Sequence, residues 1–275
     1  DNDLENNLIF LGMTAMIDPP RNDVKDAICA CKSAHIKPVM ITGDSLSTAT
    51  AIAKEIGILN SDKEAISGEQ IDKMSKQELM QKINNYSVYA RVSPSNKVDI
   101  VNAWKENGKI VAMTGDGVND APALKKADIG VGMGITGTEV SKNVSDIILA
   151  DDSFSTIITA VKEGRRIYDN IRNVLVYLLT GNIAETLIVF IGMIFGLEIF
   201  LPIQLLYINM ITDSIPAIAL AFENSEENIM KRKIRKKDST FFTPFLIAKM
   251  VLSSFLKTTA IILIYFINIK LYNLM

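Results

Sequence analysis

Hydrophobic and polar positions divide the chain into two regimes. Up to about residue 170 the apolar runs are short and alternate between strand-like and helix-like spacing. Leu8–Ile17 is an extended apolar run ended by Asp18-Pro19-Pro20, whose prolines forbid its continuation. Val24, Ala27, Ile28 and Cys31 then follow the i, i+3, i+4, i+7 pattern of a half-buried helix. Pro38–Thr42 predicts a strand, and Ala49, Ile52, Ala53 and Ile56 predict a second helix, with Gly57 placed to end it. Residues 60–84 are polar and lysine-rich and read as a loop with a surface helix. Tyr86–Ala90, Lys109–Met113, Ile129–Met133 and Asp146–Leu149 add short strands, with a helix near Ser95–Asn107. Strand alternating with helix implies an α/β fold with a parallel sheet.

From Val174 onward long apolar stretches dominate. Leu175–Leu197, Ile199–Phe222 and Phe245–Ile269 each approach the roughly 20 residues that span a bilayer. The expected organisation is a soluble domain over residues 1–165 and a membrane region over 166–275, with helices at about 166–197, 199–222 and 243–270. Between the second and third, Glu223–Thr243 holds Lys231, Arg232, Lys233, Arg235, Lys236 and Lys237, whereas Gly196–Pro202 holds only Glu198. The excess of basic residues places that loop and the soluble domain on the cytoplasmic side. The chain then crosses outward, back and outward again, as a multi-pass integral membrane protein.

Composition narrows the function. A hydrophobic content of 48% and a net charge of −2 exclude a disordered chain and argue against nucleic acid as a partner. The first residues are acidic and amide-bearing, unlike a signal peptide. Cys29 and Cys31 lie two apart on a helix, so they point in different directions and read as reduced packing residues. His35, the only histidine, has no ligand-spaced partner.

The candidate chemistry begins at Thr114-Gly115-Asp116-Gly117-Val118-Asn119-Asp120-Ala121-Pro122-Ala123-Leu124, directly after an apolar strand. Gly115 and Gly117 let the backbone turn there, at the carboxyl edge where α/β sheets hold ligands. Two acids on so tight a turn repel each other unless a cation lies between them, and hard oxygen ligands suit Mg²⁺. Thr42-Gly43-Asp44 closes another strand in the same way, and two such turns on one edge would make an anion and metal site. Lys97 opens a helix after Arg91-Val92-Ser93-Pro94-Ser95, within reach of a phosphate over that edge. Any of these alone reads as a solvated turn or a surface lysine.

A second constellation lies in the apolar stretches. Asn182 and Glu185 are three apart, hence on one helix face. Asn209, Thr212 and Asp213 sit inside the second stretch, with Pro216 beyond them to free backbone carbonyls. A carboxylate at membrane depth costs several kcal/mol, so its default reading is functional. Oxygen ligands without His or Cys favour a hard cation.

In order and approximate spacing, Asp18-Pro19-Pro20-Arg21, Thr42-Gly43-Asp44, Ala90-Arg91-Val92-Ser93-Pro94, Lys97, Thr114–Leu124 and Ala127–Gly134 resemble the phosphorylation domain of P-type ATPases, ion pumps of the haloacid dehalogenase superfamily. The resemblance implies a haloacid-dehalogenase-like (Rossmannoid) parallel sheet, incomplete here, followed by three transmembrane helices. It implies that Asp116 coordinates Mg²⁺ and that Asn119 and Asp120 support the metal and phosphate network. Thr42 and Gly43 would bind the phosphoryl group and Lys97 would offset its charge. Asp18, Arg21, Asp44 and Arg91 would position ATP or phosphate.

Asn182-Ile183-Ala184-Glu185 and Asn209-Met210-Ile211-Thr212-Asp213 resemble the fifth and sixth membrane helices of the Ca²⁺-transporting branch. Sodium-potassium pumps generally carry Asp where this chain has Asn209, so the implied cargo is Ca²⁺. The chain contains neither Asp-Lys-Thr-Gly-Thr, the family's phosphorylated segment, nor a Thr-Gly-Glu dephosphorylation motif. The expectation is a pump fragment in a cell membrane that is inactive without the missing N-terminal part. Two alternatives stand beside it: a non-catalytic membrane protein that modulates a pump, and a stand-alone phosphatase using Asp18.

Overall fold

The computed structural model describes residues 9–14, 19–21, 23–235 and 240–272. Helices and strands alternate through the first half: α1 Val24–Ser33, β1 Met40–Ile41, α2 Leu46–Glu55, β2 Ala65–Ser67, α3 Gly68–Asp72, α4 Lys76–Lys82, β3 Val88–Ala90, α5 Pro94–Glu106, β4 Ala112–Gly115, α6 Ala121–Lys126, β5 Ile129–Met133, α7 Glu139–Val144 and β6 Ile147–Leu149. Every strand pairing is parallel, as the alternation requires. The strands form two ladders, ordered β1-β3-β2 and β4-β5-β6, where the sequence suggested one sheet.

Helix α5 unites the two ladders. Ile100, Ala103 and Trp104 join the core of the first with Ile66, Ile71, Leu79, Ile83 and Tyr89. Val101, on the opposite flank of the helix, packs with Met113, Ala123 and Leu124 of the second. Ser93 caps α5 through the Asn96 N–H, Asn96 bonds back to the Ser93 N–H, and Pro94 stands where no donor is needed. Local sequence therefore fixes where the bridging helix begins.

Two expectations change. Within the Leu8–Ile17 run, the described residues 9–14 form no strand, and Ile9, Phe10, Leu11 and Met13 are 79–96% exposed. Apolar character does not make a strand without a neighbour to complete its hydrogen bonds. Residues 60–84 are not mainly loop: they supply β2, α3 and α4 and bury Ile66, Ile71, Leu79 and Ile83. Ser67 and Ser75 cap these short helices, while the lysines stay on the outer face and mask the pattern. Other predictions hold. Ala27, Ile28 and Cys31 are the buried face of α1, Cys29 is exposed, and burial pushes the Cys31 thiol up to about 11, the mark of an inert packing residue.

The second half is helical. Helix α8, Phe154–Phe195, runs 42 residues without a break and ends at Gly196, whose positive φ closes the last turn. At 1.5 Å per residue it is about 63 Å long, twice the hydrocarbon thickness, so its first half stands outside the bilayer. α9 Pro202–Tyr207 leads into a π-helical turn, Ile208–Asp213, and on into α10 Ser214–Ala221; α11 covers Pro244–Tyr272. Three segments of this set are long and apolar enough to cross a membrane, within α8, Pro202–Ala221 and Pro244–Lys270, and the chain is an integral membrane protein.

Two polar clusters set the angle at which α8 leaves the soluble domain. Asp152, nine-tenths buried, directly precedes the Ser153 cap and accepts from the Ile135 and Thr136 N–H groups and the Thr136 hydroxyl. Three turns into the helix, Arg165 donates to the carbonyls of Ala34, Ile229 and Met230, tying α8 to α1 and to the loop before α11. Arg232 pairs with Asp169, and Arg235 lies 3.7 Å over the Tyr168 ring. Part of the basic loop is thus folded onto α8.

Hydrogen bonds from the Ile135 N–H, then from Thr136, hold the Asp152 carboxyl well below the usual carboxylate range, at about 2. A depressed folded value means its stabilisation is complete above pH about 4 and is lost as pH falls towards 2. Asp152→Asn, which turns an amide N–H towards backbone donors, should lower the unfolding temperature of the detergent-solubilised protein at pH 7. The gap to wild type should narrow progressively below pH 4.

Candidate functional site

The Thr42-Gly43-Asp44 turn follows β1 and is held by the β3–α5 loop. The Arg91 N–H donates to the Asp44 carbonyl at 2.9 Å and the Val92 N–H to the Thr42 carbonyl at 3.3 Å. Thr42 Oγ1 donates to Asp44 Oδ2 at 2.9 Å and accepts from the Asp44 N–H at 3.1 Å. Arg91 adopts φ +49°, a left-handed backbone uncommon for a side-chain-bearing residue. Gly68 passes against this strained turn so closely that a Cβ would lie 2.3 Å from the Arg91 carbonyl oxygen. Thr42, Gly43, Asp44 and Arg91 therefore form one connected unit.

The second unit follows β4. Lys97, on the first turn and a half of α5, forms a short ion pair with Asp120, and the two side chains keep only 16% and 11% of their exposure. The other Asp120 oxygen accepts from the Gly117 N–H at 3.3 Å. Asp116 is held by its backbone: its carbonyl accepts from the Thr138 N–H at 2.8 Å and the Ser141 hydroxyl at 3.0 Å. Its carboxylate is left exposed at the strand's end, beside the exposed Asn119. The structure thus joins Lys97 to Asp120, but among the described residues no hydrogen bond or ion pair links Thr42 or Asp44 to Asp116, Asn119 or Asp120. Arg21 stands elsewhere, donating to the Asp152 carbonyl at 2.8 Å. Asp18 lies outside the described residues.

No group of three or more His, Cys, Asp or Glu is gathered among the described residues. Mg²⁺ does not need one, because it usually takes one or two carboxylates and completes its shell with water and phosphate oxygens. An exposed carboxylate on a fixed backbone, with Lys97 already paired to the neighbouring acid, fits that requirement. Asp116 would hold the ion and Asp120 would act through Lys97.

In the membrane region, Glu185 and Asn209 meet, the amide donating to Glu185 Oε2 at 3.0 Å. Asp213 is buried and its Oδ2 has no hydrogen-bond partner. That oxygen faces Gly181, where an added Cβ would lie 3.3 Å away. Thr212 contributes its carbonyl, which accepts from the Tyr177 hydroxyl at 3.1 Å. Pro216 explains why this carbonyl lacks the usual helical donor: it lies four residues on and has no N–H to give. Asn182 is exposed, one residue from Gly181, and its side chain joins neither contact.

Sequence reasoning overlooked several participants. Tyr177 and Gly181 sit one turn apart facing Asp213, and the π-helical turn spanning Asn209–Asp213 has no residue-type signature of its own. Thr138 and Ser141 hold Asp116, and only the Thr-x-x-Ser cap of α7 hints at them.

A Cβ at Gly115 would lie 2.5 Å from Asp120 Cβ, whereas one at Gly117 would lie 3.6 Å from Asp120 Oδ2. Gly115→Ala should therefore displace Asp120 from Lys97 and destabilise the fold by about 1–3 kcal/mol. Gly117→Ala should stay within about 0.5 kcal/mol of wild type. Denaturant midpoints of the two variants, measured side by side, check this.

Comparison with known proteins covers both regions of the chain. Residues 3–128 match the family model of haloacid dehalogenase-like hydrolases, and residues 197–274 match that of the cation transporting ATPase C-terminus. Calcium-transporting ATPase 1 of Bacillus cereus is 49% identical over 263 residues, covering 94% of this chain and 30% of its own length. A probable cation-transporting P-type ATPase of Mycoplasma genitalium is 47% identical over 83% of this chain and 27% of its own length. Potassium-transporting ATPase alpha chain 2 of Oryctolagus cuniculus is 46% identical over 84% of this chain and 24% of its own. The chain spans less than a third of the length of these relatives. With a haloacid dehalogenase-like domain leading into membrane helices that match the pumps' C-terminal region, the chain belongs to the cation-transporting P-type ATPases.

Proposed function

We propose that this chain is part of an ATP-driven pump that moves Ca²⁺ through an aspartyl-phosphate cycle. The carrying observation is the buried, unpartnered Asp213 oxygen, which faces Gly181 on α8. A carboxylate oxygen desolvated without a donor is costly unless a cation visits it. Glu185, Asn209, Asp213, the Thr212 carbonyl and Asn182 offer oxygen atoms only, a set suited to a hard cation. Calcium-transporting relatives support Ca²⁺ as the cargo, although a relative of comparable identity is named as potassium-transporting.

In the soluble domain the proposed work is positioning and charge neutralisation, which phosphoryl transfer chiefly requires from protein. Mg²⁺ bound at Asp116 would supply charge neutralisation on the transferring phosphoryl oxygens. Thr42 offers a hydroxyl and Gly43 an uncrowded backbone on one side; Lys97 offers an ammonium that Asp120 orients on the other. ATP is positioned in this reading by Asp44, Arg91 and Arg21, with Asp18. Strands β1 and β4 are each the edge of their ladder, and a further parallel strand bearing the acceptor Asp is proposed to come from the rest of the pump. The soluble domain is assigned to the cytoplasm. The Arg165 contacts support this, because they tie Ala34 of the soluble domain to the basic loop at Ile229–Arg232.

Two measurements test the reading. In the full-length parent, Glu185→Gln and Asp213→Asn should each weaken Ca²⁺ activation of ATP hydrolysis tenfold or more; unchanged activation in both would remove the ion site. These 275 residues alone should give no acid-stable, hydroxylamine-sensitive label from radiolabelled ATP, and such a label would locate an acceptor within them.

A further inference from the structure

Lys257 lies midway along the apolar span Pro244–Lys270. At 1.5 Å per residue it is about 20 Å from either end of that span, and the bilayer midplane is about 15 Å from each interface. A four-carbon stem does not bring the ammonium from there to water, whereas Lys249, near the Pro244 end, can snorkel. The register of α11 is fixed by two buried hydroxyls: Ser254 donates to the Thr180 carbonyl at 2.9 Å and Thr258 to the Ala184 carbonyl at 3.3 Å. These bonds set Lys257 at the depth of Gly181 and Glu185.

Lys257 is exposed on α11, and its ammonium has one close partner among the described residues, the Tyr177 ring. Its nitrogen lies 5.7 Å from the centre of the Tyr177 ring, within cation–π range. The hydroxyl of that ring holds the Thr212 carbonyl, and the next turn of α8 presents Gly181 to the unpartnered Asp213 oxygen. A charge at this depth calls for an opposite charge. Glu185, bonded to Asn209, and Asp213, with a free oxygen, are the acids placed there.

We propose that Lys257 is a tethered counter-charge to the ion-binding carboxylates, held on Tyr177, and that it determines specificity by standing in for part of the transported positive charge. The proposal rests on the ion-site reading above and adds a residue to it. With Lys257 charged, an arriving cation meets a like charge in a low-dielectric setting and binds more weakly than the oxygen ligands alone would allow. Tyr177 connects the two, because moving its ring disturbs both the ammonium and the Thr212 carbonyl.

The test uses the full-length parent in proteoliposomes, with Ca²⁺ as the probe and phosphoenzyme formation from ATP as evidence of folding. Lys257→Met and Lys257→Gln should each lower the Ca²⁺ concentration for half-activation at least fivefold, while Lys257→Arg should stay within twofold of wild type. A purely structural role would instead reduce turnover without that charge-dependent split. Asp213→Asn serves as the control. If it weakens Ca²⁺ activation while the neutral Lys257 variants match Lys257→Arg, the Lys257 assignment alone is overturned. If Asp213→Asn leaves Ca²⁺ activation unchanged, the ion site fails and the Lys257 proposal fails with it.

Discussion

Helix α8 is the constraint on which the rest depends. Forty-two residues of continuous i→i−4 bonding, with no proline between Phe154 and Phe195, make it a stiff connection between the two regions. Each region grips it at a definite place. Asp152 and Ser153 fix where it begins, Arg165 and Asp169 anchor it to α1 and the basic loop, and Tyr177, Gly181 and Glu185 lie on its membrane half. The Asp116 loop is connected to Asp152 through residues 134–138, because Thr138 holds Asp116 and Thr136 holds Asp152. These contacts form a continuous physical connection from the Asp116 loop to the start of α8.

The soluble site is built around paired charge. Lys97 and Asp120 are both mostly buried, so losing either would leave its partner desolvated and uncompensated, a cost of about 3–5 kcal/mol for buried pairs. That penalty makes the pair a positional device as well as an electrostatic one. It locks α5 to the turn after β4, and α5 in turn carries the loop that holds Thr42 and Asp44. The two candidate turns therefore share one support even though they lie on separate ladders.

Local patterns conveyed much of this architecture. The buried faces of α1 and α2, the capped start of α5 and the three apolar spans all follow from spacing and capping residues. Misreadings arose where local signal and tertiary context diverge. The Ile9–Met13 run has strand composition but no ladder among the described residues, and 60–84 hides Ile66, Ile71, Leu79 and Ile83 beneath lysines. Thr42, Asp44, Asp116 and Asp120 were legible as types in the turns after strands, and Lys97 at a helix start. That Lys97 grips Asp120, while Asp116 is held only by its backbone, depends on how α5 crosses two ladders, and no short window of sequence records that. Asn182 and Glu185 share a helix face, but a sixty-degree difference around the axis suffices to separate Glu185, which meets Asn209, from Asn182, which does not.

The proposed membrane site lies on an irregular segment for a physical reason. An intact helix spends its carbonyls on its own hydrogen bonds and has none to offer a cation. Between Ile208 and Asp213 the backbone widens into a π turn, and Pro216 withholds the donor that would have taken the Thr212 carbonyl. Free carbonyls at membrane depth need partners, and Tyr177 and Ser214 provide them, the latter donating to the Asn209 carbonyl at 3.1 Å. Both partners are hydroxyls, which can rotate away from a carbonyl. Asp213, at the end of the same turn, keeps an oxygen with no partner at all. Freed carbonyls satisfied by removable donors, with a carboxylate oxygen left open beside a glycine, are what the proposed exchange of internal contacts for a cation would require.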